Sequence, residues 1–139
     1  GLFLKKLDDL NIADNTLVFY STDNVPHMNT WPDAGMTPFR GEKNTNWEGG
    51  WRVPARVRWP SKIKADTVFN EIVHHMDWMP TLLGVAGNTE IKKRLLTSYK
   101  ANGRKYKVHL DRYNILRLRT GETDKSLGEE IFYFRRMAI

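Results

Sequence analysis

Apolar and polar positions change their period several times along the first sixty residues. Phe3, Leu7 and Leu10 recur at helical spacing, with Lys5, Lys6, Asp8 and Asp9 between them. That predicts an amphipathic helix over 2–10, ended by Asn11. Ile12 to Asn15 reads as a turn. Leu17-Val18-Phe19-Tyr20 then runs without a polar break and stops at Ser21-Thr22-Asp23-Asn24, which predicts a buried strand over 16–22. From Asn24 to Gly50 no period survives, and Pro26, Pro32, Gly35, Pro38, Gly41, Gly49 and Gly50 punctuate the chain. A stretch of this length without regular structure either serves a site or is disordered. Trp31, Phe39 and Trp47 favour an ordered loop, because they supply apolar area to hold it down. Alternation returns with Val53, Ala55, Val57 and Trp59, set against Arg52, Arg56 and Arg58, and Pro60 closes this second strand.

Further on, residues 67–73 read as extended. Asp77 is placed to cap a helix carrying Pro80 in its first turn, Leu82, Leu83 and Val85 in its body, and Gly87 at its end. Residues 91–100 form a basic amphipathic helix, Asn102-Gly103 a turn, 106–110 a strand, 115–119 a short helix, and 131–134 an apolar strand. A helix, a short turn and a buried strand in this order predict one crossover unit of an α/β sheet. The expected fold class is α/β, with a boundary near 87–90, where the charge balance changes.

Composition changes this picture in two places. The 139 residues include no cysteine, which removes disulfides, thiolate metal sites and a cysteine nucleophile from this stretch. The formal charge of +6 is unevenly spread: residues 1–89 carry nine Lys/Arg and ten Asp/Glu, residues 90–139 thirteen and six. The basic later part attracts anions. The aromatic residues do not form the pattern of a base-stacking platform, so nucleic acid is not the expected partner. No run approaches the roughly 20 apolar residues of a membrane helix. The start, Gly1-Leu2-Phe3-Leu4 leading into Lys5-Lys6, does not read as a secretory leader.

The candidate chemistry lies where the first strand meets the long loop. Asp23 and Asn24 offer a carboxylate and a carboxamide oxygen at a strand terminus, the donors a hard divalent cation prefers. Both are also turn formers. Lys43, nineteen residues after Asn24, carries a compact ammonium suited to an oxygen of a bound sulfate or phosphate. Arg40 and Arg52 flank it; either could reach the same anion, and Arg52 could instead hold the loop by pairing with Glu48. His27 could contact substrate or transfer a proton near neutral pH. His74-His75 read as structural. No zinc spacing, phosphate-binding glycine loop or nucleophile elbow is present.

Four ordered blocks carry a resemblance: Asp14 to Asn24, Phe39 to Lys43, Trp47 to Ala55, and His75 to Leu83. Together they resemble the later part of the type I sulfatases, arylsulfatase-like members of the alkaline phosphatase superfamily. Lys107 to Asp111, Tyr113-Asn114 and Phe132-Tyr133-Phe134 resemble that family's C-terminal subdomain, so the fold implied is a partial mixed sheet flanked by helices over 1–88, followed by a small α+β subdomain over 89–139. The resemblance implies that Asp23 and Asn24 are two ligands of an active-site calcium ion, and that Lys43 binds the sulfate group and serves catalysis. It implies a sulfate-ester substrate; His27 and Arg40, by their places in the loop, are the further expected contacts of that substrate. It implies a formylglycine nucleophile, made from the Cys or Ser of a C/S-x-P-x-R motif, whose hydrate attacks sulfur to give a covalent sulfate intermediate. That motif is absent here and lies upstream in the family, as do the remaining metal ligands. The expectation is therefore a sulfatase fragment, inactive as it stands. Val25 occupies a position usually held by glycine, and would strain the turn if that turn required a positive φ. The family is compatible with a periplasmic, secreted or lysosomal setting; compartment and oligomeric state stay open. Two other readings remain: a metal-dependent phosphohydrolase of the same superfamily, and a non-enzymatic polyanion-binding module.

Overall fold

The computed structural model describes residues 1–120 and 130–131. The apolar strand expected over 131–134 falls almost entirely outside the described residues. Contacts gather the described chain into two compact units that meet at residues 65 and 66.

In the first unit, helix α1 spans Leu2–Asp9. It ends as expected at Asn11, whose φ is +55°. The Asn11 N–H donates to the Asp8 carbonyl and the Ile12 N–H to the Leu7 carbonyl, the paired bonds of a Schellman terminus. Strand β1, Val18–Ser21, pairs antiparallel with β2, Ala55–Arg58, in the register Val18 to Arg58 and Ser21 to Ala55. The two strands are therefore joined by the long loop, not by a crossover helix. Side chains tie α1 and the turn that follows it to the end of β2: Arg58 bonds Asp8 at 2.6 Å, and the Trp59 indole N–H donates to the Asp14 carbonyl, in that turn, at 2.9 Å.

Burial in this unit is thinner than the periodicity suggests. Of the three apolar positions in the predicted helical stripe, Leu7 is buried, but Phe3 and Leu10 are exposed. No residue of β1 is fully buried, and Tyr20 lies open to solvent. One helix and one strand pair enclose little volume, so an amphipathic pattern here finds few partners. Among the described residues of this unit, the buried apolar side chains are Leu7, Ala13 and Val25. Val25 does not adopt a positive φ; it anchors the loop just past β1, so the expected strain is not there.

The second unit is built around α3, Trp78–Val85. A 3-10 turn, His75–Asp77, leads into it. Asp77 acts one step earlier than a simple cap of α3. Its carboxylate accepts from the His74 N–H at 2.7 Å, while the His74 ring accepts from the Met76 N–H, a reciprocal capping box. Gly87, at φ +89°, closes α3 as expected: its N–H reaches the Gly84 carbonyl and the Asn88 N–H the Leu83 carbonyl. Helix α4, Ile91–Thr97, buries Ile91 and Leu95. It stops short of residue 100, because 99–101 instead form β3. Strand β3 pairs antiparallel with β4, Arg104–Tyr106, across Asn102-Gly103, and so places strand structure before Tyr106 rather than after it. Positive φ at both turn residues, +46° and +78°, gives the mirror-image turn that matches strand twist. Residues 112–116 then lie along α3 and lead into α5, Leu116–Arg119. The Tyr113 N–H donates to Asp77 at 3.1 Å, and the Ile115 N–H to the buried Thr81 hydroxyl at 3.0 Å. Thr81 in turn donates to the Asp77 carbonyl at 2.6 Å.

The described residues thus contain two antiparallel ladders, each of two strands.

Candidate functional site

The long loop of the first unit is ordered around its glycines and aromatic rings. Its second half begins at Phe39 and turns at Gly41, where φ is +87°. It ends in a single helical turn, α2, Glu48–Trp51. Gly49 and Gly50 are buried beneath residues 39–45. The Gly49 N–H donates to the Arg40 carbonyl at 2.7 Å. A Cβ on Gly49 would stand 2.3 Å from the Gly41 carbonyl oxygen, and one on Gly50 2.2 Å from that of Thr45. Backbone therefore lies directly on backbone, which only glycine permits. The Thr45 hydroxyl closes the turn, donating to the Glu42 carbonyl at 2.7 Å and accepting from the Glu42 N–H at 3.1 Å.

Two of the loop's three cations help hold this arrangement. The Arg40 guanidinium lies over Trp47, 3.7 Å from the ring centroid. That of Arg52 lies over Phe39 at 4.1 Å and bonds Glu48 at 2.9 Å. The pairing of Arg52 with Glu48 was one of the two roles its position offered. Arg40, expected at the substrate, is engaged with an aromatic face. The third cation is different: Lys43 is exposed, and its ammonium makes no ion pair among the described residues.

The backbone of Lys43 is nevertheless fixed. Its N–H donates to the Pro26 carbonyl at 3.0 Å, and the neighbouring Glu42 carboxylate accepts from the Met28 N–H. Two adjacent residues of the returning loop are thereby pinned to the segment that follows Asn24. His27 lies in this segment, half-buried, with Nδ1 hydrogen-bonded to the Thr30 hydroxyl at 2.8 Å. Its carbonyl accepts from the Trp31 N–H at 2.9 Å, so the imidazole heads a local turn.

Asp23 and Asn24 follow two residues after the end of β1, the carboxylate exposed and the carboxamide half-buried. Neither side chain is hydrogen-bonded among the described residues. Their oxygens fit the needs of a hard divalent cation, which takes six to eight such donors when it is calcium. They fit as part of a set; among the described residues no group of three His, Cys, Asp or Glu is arranged to hold a metal.

Sequence reasoning overlooked the Thr45 clamp and the two arginine–aromatic stacks. The signal for the stacks was present in the interleaving of Phe39-Arg40 with Trp47 and Arg52. Nothing marked Thr45 apart from any loop threonine.

The family model for sulfatases matches residues 1–88, the stretch that contains the strand terminus, the pinned loop and α3. The chain belongs to the sulfatase family. An arylsulfatase of Hemicentrotus pulcherrimus is 40% identical over 85 residues, covering 60% of this chain and 15% of that protein. The human N-acetylgalactosamine-6-sulfatase is 38% identical over 98 residues, 69% of this chain and 19% of the relative. The human steryl-sulfatase is 29% identical over 140 aligned positions, 96% of this chain and 22% of the relative. This sulfatase chain therefore spans between about a seventh and a quarter of the length of these curated relatives. The family is of the alkaline phosphatase-like α/β type, of which the two antiparallel ladders show a part. Among the described residues no helix is long and apolar enough to cross a membrane.

Proposed function

We propose that this chain supplies the cation- and sulfate-binding loops of a sulfate-ester hydrolase whose nucleophile lies on a segment beyond these 139 residues. The observation that carries the reading is Lys43, whose ammonium has no ion pair among the described residues and whose backbone is pinned to Pro26, two residues past Asn24. Asp23 and Asn24 would hold a divalent cation, calcium being the family's choice. When bound, the ion supplies positive charge against the oxygens of the ester's sulfate group. Lys43 would donate to one of those oxygens and offset the charge that grows on them as the ester bond breaks. His27, oriented by Thr30, would present its other ring nitrogen to the substrate. Arg40 and Arg52 act on the site through the loop they stiffen. On the nucleophile-bearing segment the hydrate of a formylglycine would attack sulfur through one hydroxyl, while the bond from sulfur to the ester oxygen breaks and the alcohol or phenol leaves. The division of the chain into a catalytic portion, 1–88, and a C-terminal subdomain, 89–139, belongs to the same proposal.

The test compares the 139-residue chain with the chain extended by its nucleophile-bearing segment. The short chain, which contains no C/S-x-P-x-R motif, shows no turnover of an aryl sulfate. The extended chain hydrolyses aryl sulfate in preference to aryl phosphate. There, Lys43→Ala lowers kcat by about 10²–10³-fold, the usual cost of one electrostatic donor to a developing oxyanion. Turnover by the highly purified short chain, or a preference for phosphate in the extended one, overturns the proposal.

A further inference from the structure

The β3–β4 hairpin carries an unneutralised concentration of charge. From Lys92 to Arg112 the sequence holds eight Lys/Arg and one Asp/Glu, Asp111. Several of these cations have local employment. Lys93 pairs with Glu90 at 2.7 Å, Lys92 donates to the Arg112 carbonyl, and Arg94 lies over Tyr99 at 4.5 Å. Asp111 is engaged with His109 at 2.8 Å. That leaves Lys100, Arg104, Lys105 and Lys107 exposed, with no acidic partner among the described residues.

Two of the four stand face to face. Lys100 and Lys105 are directly opposed across the ladder. Side chains so placed have Cβ atoms about 5 Å apart, and like charges there destabilise the strand pair. The hairpin nevertheless holds them in a fixed display, through a turn whose two residues both take the required positive φ. An anion bridging the two ammoniums would remove the repulsion.

We infer that this hairpin is a docking site for a linear polyanion, specifically a sulfated polysaccharide, separate from the loops that carry Asp23 and Lys43. Three features select the partner. Strand alternation puts Tyr99 and Tyr106 on the face away from the lysine pair, and Tyr99 is covered by Arg94. The lysine face thus offers no ring on which bases could stack. The tip, Asn102-Gly103, has no apolar side chain to enter a membrane. What remains is recognition of spaced charge along a soluble chain. The choice of sulfated over other polyanions rests on the sulfate-ester reading above; the existence of the anion site does not.

The experiment measures binding of the 139-residue protein to a heparin oligosaccharide, to the same oligosaccharide after chemical desulfation, and to a DNA duplex of equal length. Affinity for the sulfated form falls steeply with added salt, as counterion release requires, and exceeds affinity for the other two. Lys100→Glu with Lys105→Glu weakens it roughly tenfold or more and flattens the salt dependence. Lys105→Glu alone lowers affinity while raising the thermal midpoint, because it turns a repulsive cross-strand pair into an attractive one. Those opposite signs separate lost binding from lost folding. Lys62→Ala, which removes an exposed cation of the first unit, leaves the affinity unchanged. Equal or tighter binding to DNA, indifference to desulfation, or loss of affinity in Lys62→Ala with none in the hairpin variants overturns the inference. Each of these can occur while sulfate-ester hydrolysis by the extended chain stands.

Discussion

Gly49 shows how a single position can decide whether the candidate site exists. Its missing Cβ is what lets α2 pass beneath the carbonyls of Phe39, Arg40 and Gly41, which would otherwise lie within 2.3–2.7 Å. Backbone oxygens cannot swing aside as a side chain can, so Gly49→Ala must push the whole 39–45 loop away. A forced shift in a packed region costs about 1–3 kcal/mol. In a unit of this size that lowers the melting point by several degrees per kcal/mol. The same shift would break the bond from the Lys43 N–H to Pro26. The expected outcome is a lower thermal midpoint together with amide exchange at Lys43 that is much faster than at Ala86, whose N–H is bonded within α3. Unchanged protection at Lys43 would show that the loop does not depend on this close approach. The sequence already marked the paired glycines as breaks in the long loop, and Asp23, Asn24 and Lys43 as candidates for the chemistry. It could not mark Thr45, or assign Arg40 to Trp47, because those roles depend on which loop residues meet in three dimensions.

At the scale of elements, the second unit is joined by polar staples as much as by apolar packing. Asp77 and Thr81, both buried, accept the backbone N–H groups of Tyr113 and Ile115 and so tie residues 112–116 to α3. Capping signals made α3 and its Gly87 end legible in advance. The hairpin was half legible: Asn102-Gly103 announced the turn, but the basic periodicity of 91–100 concealed that its last residues are strand. A pH dependence follows from the capping box. Burial, the Arg112 guanidinium and the neighbouring His75 together hold the His74 pKa below its usual 6.5, against the opposing pull of Asp77. The neutral ring is also the form that accepts from the Met76 N–H. Since the unfolded chain binds that proton more readily, stability from this site is complete above about pH 6.5 and is lost as the pH falls through the lower folded value. His74→Asn keeps a good capping acceptor without a titrating group. Its midpoint should match the native protein within about 1 kcal/mol of stability at pH 7.5 and fall less between pH 6.5 and 5. Parallel curves for the two proteins would remove His74 from the account.

For the molecule as a whole, apolar exposure and charge set solution behaviour in opposite directions. The succession of helix, strand and loop was readable in advance, but the antiparallel pairing of β1 with β2 and the depth of the core were not. Periodicity tells which face of an element is apolar, and only the neighbours tell whether it is covered. In the first unit Leu2 is 89% exposed, Phe3 66% and Tyr20 62%. Large apolar side chains left open in such numbers drive association. The net charge of +6 opposes it through repulsion between copies. Salt screens that repulsion and leaves the apolar attraction in place. Self-association, followed by sedimentation over a range of protein concentrations, should therefore strengthen as salt rises, the reverse of the salt response expected at the β3–β4 hairpin. Phe3→Lys with Leu10→Lys adds charge and removes apolar surface on α1 without touching the buried Leu7. It should shift association to higher protein concentration and reduce the binding of an apolar dye, with the helix content unchanged. Association that weakens with salt, or that ignores the α1 variant, would mean that charge rather than uncovered apolar surface brings the molecules together.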